Sequence, residues 1–501
     1  LFYALLLAVA NLAVLKPQSC IAMLSIPLLL PLFSSSALDQ RHFFRKRLCL
    51  GLLLAALAAL LCYGRYPASL SPNEGMRDGT ATLIITDKKI LSTPFGQRWS
   101  FRGKLKQFEG SDFYLHGGNI FFQLPVKKGI SVPDAAKVYR IQTQIEASGD
   151  FQYFLRIDPN VPWYSLGSHF SVTETRFRFK QALKSIIERR ISDPNAAAFL
   201  IGLATAQFDD PKIASEFGRF GLQHVLAVSG FHFAIIAGIL SACLRFIVPR
   251  RSAATVLIAL LCTYFLFLGP SPSIMRAWMM AMIVLFGRLF EKTPLSLNSL
   301  GVALFFILLY EPLYLLQLGF LFSFIATLGI LLLFPLLNRL LMNIWKKRSL
   351  SITIGMSKVS QHAYVLLANF RQAIALTLAV HLAVVPISLY YFHQFPVLSL
   401  VFNLFYPFLV SLSLLLLVIG LLFMPLFPPL AHSIHAFNSW YTAQILDLLV
   451  NIPSSLDYKW IVPEISEIWL PIYLCGLFLF GIIFHEIMKE KNDESEDFAF
   501  I

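Results

Sequence analysis

Long apolar runs dominate the chain, and one polar stretch of alternating character interrupts them. Apolar segments at about 1–15, 20–33 and 48–63 open the sequence. Further runs follow at about 224–241, 252–269, 272–290, 295–311, 314–337, 365–390, 397–424 and 465–487. A run of about 18 or more apolar residues can cross a hydrocarbon core of about 30 Å. Lipid offers the backbone no hydrogen-bond partner, so each run predicts a helix that satisfies its own N–H and C=O groups. The first two runs lie near the lower length limit for a span.

Between about 72 and 175 the pattern changes period. Turn signals such as "SPNEG", "TPFG" and "LHGG" punctuate short alternating segments. In "WSFRGKLKQF", Trp99, Phe101 and Leu105 share one face, and Arg102, Lys104 and Lys106 share the other. "YRIQTQIEAS" likewise sets Tyr139, Ile141 and Ile145 against Arg140, Gln142 and Gln144. Several such strands in so short a region predict a small β-barrel, with the OB-fold as one form. Aromatic rings beside a basic stripe suit base stacking and phosphate contact with a single strand. The same alternation also describes a half-buried strand whose lysines and arginines face water. A basic amphipathic stretch at 176–220 follows, with a face suited to the membrane interface.

Composition supports a membrane solvent: 57% of the residues are hydrophobic and 14% charged, with a mean hydropathy of +0.67. An ordinary soluble domain carries about a quarter charged residues. The net charge of +13 is less informative about nucleic acid, because its clusters fall between spans. "RHFFRKR" at 41–47, "RFIVPRR" at 245–251 and "RLLMNIWKKR" at 339–348 read as cytoplasmic loops under the positive-inside rule. The polar region 72–175 then falls on the outer side. "MPLFPPL" and the amphipathic segment after it read as re-entrant or interfacial, and the acidic tail as disordered. The six cysteines form no C-x-x-C pair and lie in or beside apolar runs, which predicts neither a disulfide scaffold nor a zinc site. No cofactor is expected.

Polar residues at membrane depth are costly and tend to face a bundle interior or a wet cavity. The candidates for such a lining are His224, Ser229, Gly230, His232, Arg276, Asn298, Gln317, Ser323, His381 and Asn403. Simpler roles compete with lining for several of these residues. Arg276 lies near an interface and can snorkel, while Asn, Gln and Ser also join helices by simple hydrogen bonds. Ser229 before Gly230, with histidines near, also allows an intramembrane serine protease, His381 being a distant base. Ala227 breaks the Gly-x-Ser-Gly pattern of rhomboid proteases, and His232 at i+3 is poorly aligned as a base.

The motifs "FGLQHVLAVSGFHFAII", "PSIMRAWMM", "NSLGVALFFILLYEPLYLLQLGFLFSFIATLGILLLFP" and "VVPISLYYFHQFPVLSLVFNLFYPFLV" together resemble the ComEC family of competence proteins. By position, His224, Ser229, Gly230, His232, Arg276 and Asn403 match the family's motif residues. Leu321 stands where the family usually has glutamine. The resemblance implies an inner-membrane channel that carries single-stranded transforming DNA into the cytoplasm, without catalysis. It implies as partners single-stranded DNA, the lipid bilayer, a DNA receptor on the outer side and a cytoplasmic ATP-driven motor. Full-length relatives also carry a metallo-β-lactamase-like domain with an H-x-H-x-D-H signature; these 501 residues do not contain it.

The expected architecture is an α-helical polytopic membrane protein with an inserted OB-like β domain outside the cytoplasm. Residues 1–65 form N-terminal spans, 72–175 the β domain, 176–220 linker helices, 221–487 the channel domain and 488–501 a polar tail. Lining candidates are those named above; DNA-binding candidates are Trp99, Phe101, Arg102, Lys104 and Lys106. Transport of another polar polymer or lipid, or a scaffold role, are the other expectations beside the protease.

Overall fold

The computed structural model describes residues 2–15, 41–67, 70, 75–93, 96–111, 113–126, 132–208, 210–226, 230–292, 294–346, 348, 350–466 and 468–497. The apolar segment expected at 20–33 lies outside them. Helices α1 (Phe2–Leu15) and α2 (Arg41–Arg65) pack against each other.

Seven strands follow: β1 (Arg77–Thr93), β2 (Gly96–Gly110), β3 (Tyr114–His116), β4 (Asn119–Pro125), β5 (Lys137–Gly149), β6 (Gln152–Arg156) and β7 (Tyr164–Ser168). Five of them close on themselves in the order β1-β2-β4-β6-β5, with β5 pairing back to β1. Only the β4–β6 contact among these is parallel. Closure is possible because β1 is long and uses both edges, pairing with β2 over its length and with β5 over residues 77–84. Alternation sends Leu83, Ile85, Phe101, Phe108, Phe122, Ile141 and Ile145 into a fully buried interior. Gly103 is required at one crossing: a Cβ there would lie 2.3 Å from the Ile84 carbonyl oxygen.

The bulge between Ile85 and Asp87 leaves Thr86 out of the ladder. Its carbonyl instead accepts a hydrogen bond from the Thr173 hydroxyl at 2.9 Å, which ties the barrel to α3 (Thr173–Arg190). Helices α4 (Pro194–Thr205) and α5 (Pro211–Arg219) come next. Each starts with Asp-Pro: Asp193 accepts from Ala196 N at 2.7 Å and Asp210 from Lys212 N at 2.8 Å.

Two basic residues of the linker region are taken up inside the structure, while Arg178, Arg189 and Arg190 stay exposed. Arg176 and Lys180 are buried, donating to the carbonyls of Leu266 and Leu268 at 2.8 and 2.9 Å. Those carbonyls end α8 (Arg250–Leu268), where a helix has unpaired acceptors and partial negative charge.

A short α6 (Gln223–Leu226) precedes α7 (Gly230–Ile247), and both fall in or beside the apolar run expected at 224–241. Then come α9 (Pro272–Leu289), α10 (Ser296–Tyr310), a 3-10 turn (Pro312–Leu316) and α11 (Leu318–Ile344). The basic run at 339–348 is therefore partly the last turns of α11 rather than a loop. After α12 (Leu350–Ile354) and the long α13 (Lys358–Phe392), strand β8 (Gln394–Pro396) pairs with β9 (Lys459–Ile461). Between them run α14 (Ser399–Phe423) and α15 (Pro428–Val450), and α16 (Trp469–Asp497) follows β9.

Among the described residues, α9, α11, α13 and α14 are long and apolar enough to cross a membrane. Several other expected spans are shorter apolar helices, including α1, the apolar part of α8 and α10. The segment read as re-entrant or interfacial forms α15, which packs along α14 and buries Asn438, Ser439 and Thr442 against its neighbours.

The apolar cores fall into sets. Helices α7, α8 and α9 share one, α1, α9, α10 and α11 another, and α4, α5, α14 and α15 a third. The ends of α2, α8 and α10 meet the barrel side, so α9 and α11 begin there.

Candidate functional site

At the barrel-side ends of α7, α9 and α11, three expected lining residues meet. Arg276, in the second turn of α9, donates from Nε to Ser323 Oγ of α11 at 2.7 Å. Its Nη1 lies 3.9 Å from Met280 Sδ. Gly230 opens α7 against the same guanidinium, where a Cβ would fall 3.2 Å from Nη2. Arg276 therefore does not snorkel away. It is held between helices, and no carboxylate pairs with it among the described residues. The N-termini of α9 and α11 add positive dipole ends to an arginine whose charge has no counter-ion among the described residues.

A second group forms where α6 and α7 approach α13 and α14. His381 Nδ1 contacts the Thr377 carbonyl at 2.7 Å. A carbonyl only accepts, so Nδ1 carries the proton and Nε2 the lone pair. That lone pair faces Asn403 Nδ2 at 3.5 Å, the long limit of a hydrogen bond. The same amide donates to Ser399 Oγ at 2.7 Å, and Asn403 Oδ1 is buried without a partner among the described residues. His224 lies within electrostatic reach of both His381 and His232. Its Nδ1 contacts the Gly221 carbonyl at 3.3 Å. Gly221 has φ +65° and packs so closely on Pro396 and Ser399 that a Cβ would fall within 3.0 Å of each. His232 is buried.

The remaining candidates are not drawn in. Asn298 is exposed on the first turn of α10, at the end of that helix away from the barrel. Gln317 precedes α11 without capping it by its side chain. Ser229 lies outside the described residues. As a base for a protease, His381 is poorly free, since both ring nitrogens face neighbours.

On the barrel, Arg102 and Lys106 are exposed on the outer face and carry no ion pair among the described residues. Lys104 forms an ion pair with Glu311, in the link between α10 and the 3-10 turn. The aromatic half of the stripe needs correcting. Phe101 is fully buried and stacks on Phe122 with ring centroids 4.8 Å apart, so it offers no face to a base. Trp99 is half-buried between Phe101 and Phe177 of α3.

Other rings occupy the outer face. Phe121 sits directly opposite Arg102 in the β2–β4 ladder, and its ring lies 5.7 Å from that of Phe154 on β6. Both are half-buried. The signal for Phe121 was the dipeptide "FF" in "NIFFQLP": a period of two sends Phe122 in and Phe121 out.

Together these features define a predominantly helical membrane protein with a small closed β-barrel at one end of its helices. A family model described as "Competence protein" matches residues 203–487, more than half of the chain, and the chain belongs to this family of ComEC-type competence proteins. It is 27% identical over 195 residues to ComE operon protein 3 of Bacillus subtilis (strain 168). That match covers 39% of this chain and 22% of the relative, so the chain spans well under two thirds of the relative's length. No solved structure matches the chain.

Proposed function

We propose that the protein takes part in DNA uptake during competence, as a channel that passes single-stranded DNA across the cytoplasmic membrane of a bacterium. The observation that carries this reading is Arg276, bound to Ser323 at the joined starts of three helices without a carboxylate partner among the described residues. An uncompensated cation at membrane depth is costly. A passing phosphodiester offsets that cost, whereas a neutral lipid or polymer would not.

The barrel is the receiving element in this proposal, and its closed five-strand order is that of an OB-like fold. Phe121 and Phe154 offer stacking surfaces, and Arg102 and Lys106 offer phosphate contacts. The strand then passes to the seam of His224, His232, His381 and Asn403, which lies between separate apolar cores. The basic run at 245–251 spans the end of α7 and the start of α8, away from the barrel. Its positive charge supports a cytoplasmic location there and an extracytoplasmic barrel. An outer receptor supplies the strand, and a cytoplasmic motor pulls it.

The test is internalisation of labelled DNA in a deletion strain complemented with wild type, Arg276→Leu or His232→Leu at equal membrane levels. Wild type restores uptake and the variants do not. Normal internalisation by the deletion strain sinks the proposal.

A further inference from the structure

We propose that the Lys104–Glu311 ion pair is a latch between barrel and helices, which a polyanion opens by taking Lys104 for itself. The proposal rests on the reading of the outer barrel face as the receiving surface.

Lys104 stands between Arg102 and Lys106 along β2, about 7 Å from Arg102 on the outer row, with Lys106 exposed at a bulge in the β1–β2 ladder. These two neighbours are free for phosphate, yet Lys104 is held by a carboxylate of its own chain. Glu311 therefore occupies the position of one phosphate along the strand. The pair is asymmetric: the Lys104 side chain is 44% exposed and that of Glu311 3%. The lysine can swing to an arriving phosphate while the glutamate stays.

Glu311 has further partners to hold it. Tyr66 Oη donates to Glu311 Oε1 at 2.6 Å, and the Leu313 backbone N–H approaches the same oxygen at 3.4 Å. Burial, then the glutamate's charge, raises the Tyr66 pKa, so the phenol stays a donor.

The joint around the pair is otherwise made of neutral contacts and one cationic cap. The Tyr66 and Phe151 rings meet edge to face at 5.5 Å, and Arg65 donates to the Tyr310 carbonyl at 3.1 Å. Lys104 also lies 5.7 Å from the centre of the Tyr310 ring. Among the described residues, Lys104–Glu311 is the ion pair that joins β2 to the α10–α11 link. Another charged tie among the described residues, Lys88 to Glu174 at 2.5 Å, holds the barrel to α3. Losing the first leaves the second as a pivot. Glu311 also leads directly into the 3-10 turn and α11, whose Ser323 holds Arg276. The latch thereby couples occupancy of the barrel to the arginine constellation.

The experiment uses the full chain in lipid nanodiscs, with a poly(dT) oligonucleotide as probe and dextran sulfate as a second polyanion. Fluorescence anisotropy gives affinity, and hydrogen–deuterium exchange follows residues 310–316. In wild type, saturating poly(dT) speeds exchange in this segment, and dextran sulfate does the same. Glu311→Gln shows the faster exchange without ligand and binds poly(dT) about fivefold more tightly, the scale of a partly exposed ion pair. Lys104→Gln also exchanges faster without ligand but binds more weakly. Tyr66→Phe, which keeps both charges, gives the same change as Glu311→Gln to a smaller degree and serves if that variant does not fold. If wild type binds poly(dT) with no change at 310–316, or Glu311→Gln binds no more tightly, the latch is overturned while the receiving surface stands. If neither wild type nor Glu311→Gln binds, both fall.

Discussion

Arg276 of α9 and Ser323 of α11 are joined through a single 2.7 Å hydrogen bond from guanidinium Nε to hydroxyl oxygen. Removing the acceptor leaves a half-buried charged donor unsatisfied. Ser323→Ala is expected to lower stability by about 1.5–3 kcal/mol, the range for hydrogen bonds to charged groups. Thermal unfolding in detergent checks this, and a change within error contradicts the assigned contact.

Gly230 gives a graded test of the same junction. A Cβ at 3.2 Å from the guanidinium asks for a small shift, so Gly230→Ala is expected to retain most DNA uptake. Gly230→Leu places a larger side chain against Arg276 and is expected to abolish uptake at normal membrane levels. Equal uptake by both variants speaks against close approach at this position.

The aromatic residues of the barrel divide into structural and surface classes. Phe101→Ala empties the core and is expected to cost about 3–5 kcal/mol, read as a lowered melting temperature. Phe121→Ala should leave melting unchanged and weaken oligonucleotide binding by about 1–3 kcal/mol, the value of one stacked base. The reverse pattern would refute this assignment.

Salt dependence separates phosphate contacts from stacking. Arg102→Gln and Lys106→Gln are each expected to reduce the slope of log affinity against log salt by about 0.7, as for one single-strand phosphate contact. Titrations over a salt series measure it. Phe121→Ala should shift affinity and keep the slope.

Arg176 and Lys180 cap carbonyls that α8 cannot satisfy internally. Arg176→Met keeps much of the apolar stem and removes the donors, with an expected loss of about 1–3 kcal/mol. Proteolysis of the barrel–helix junction in membranes provides the readout, and wild-type resistance counts against the capping role.

Much of the architecture was legible because its periods are strong. Alternation in "YRIQTQIEAS" matches the burial found for Tyr139, Ile141 and Ile145, and apolar runs mark the long helices. Boundaries were harder, since apolar character does not distinguish the short α6 from α7. Pattern alone also misjudged Arg176 and Lys180, whose partners are carbonyls some ninety residues away. Phe101 was assigned to the right face, but that face is the sealed interior. The meeting of Gly230, Arg276 and Ser323 was invisible for the same reason, because it depends on three helices converging and not on spacing within any one.

The bulge at Thr86 has a mechanical consequence. The carbonyl that it frees from the ladder grips Thr173, at the very residue where the chain re-enters helical structure, while Arg65 grips Tyr310 at the entry side. The barrel thus hangs like a bucket from both ends of its handle: its exit is tied at Thr173, and the helix that leads into it is tied at Tyr310.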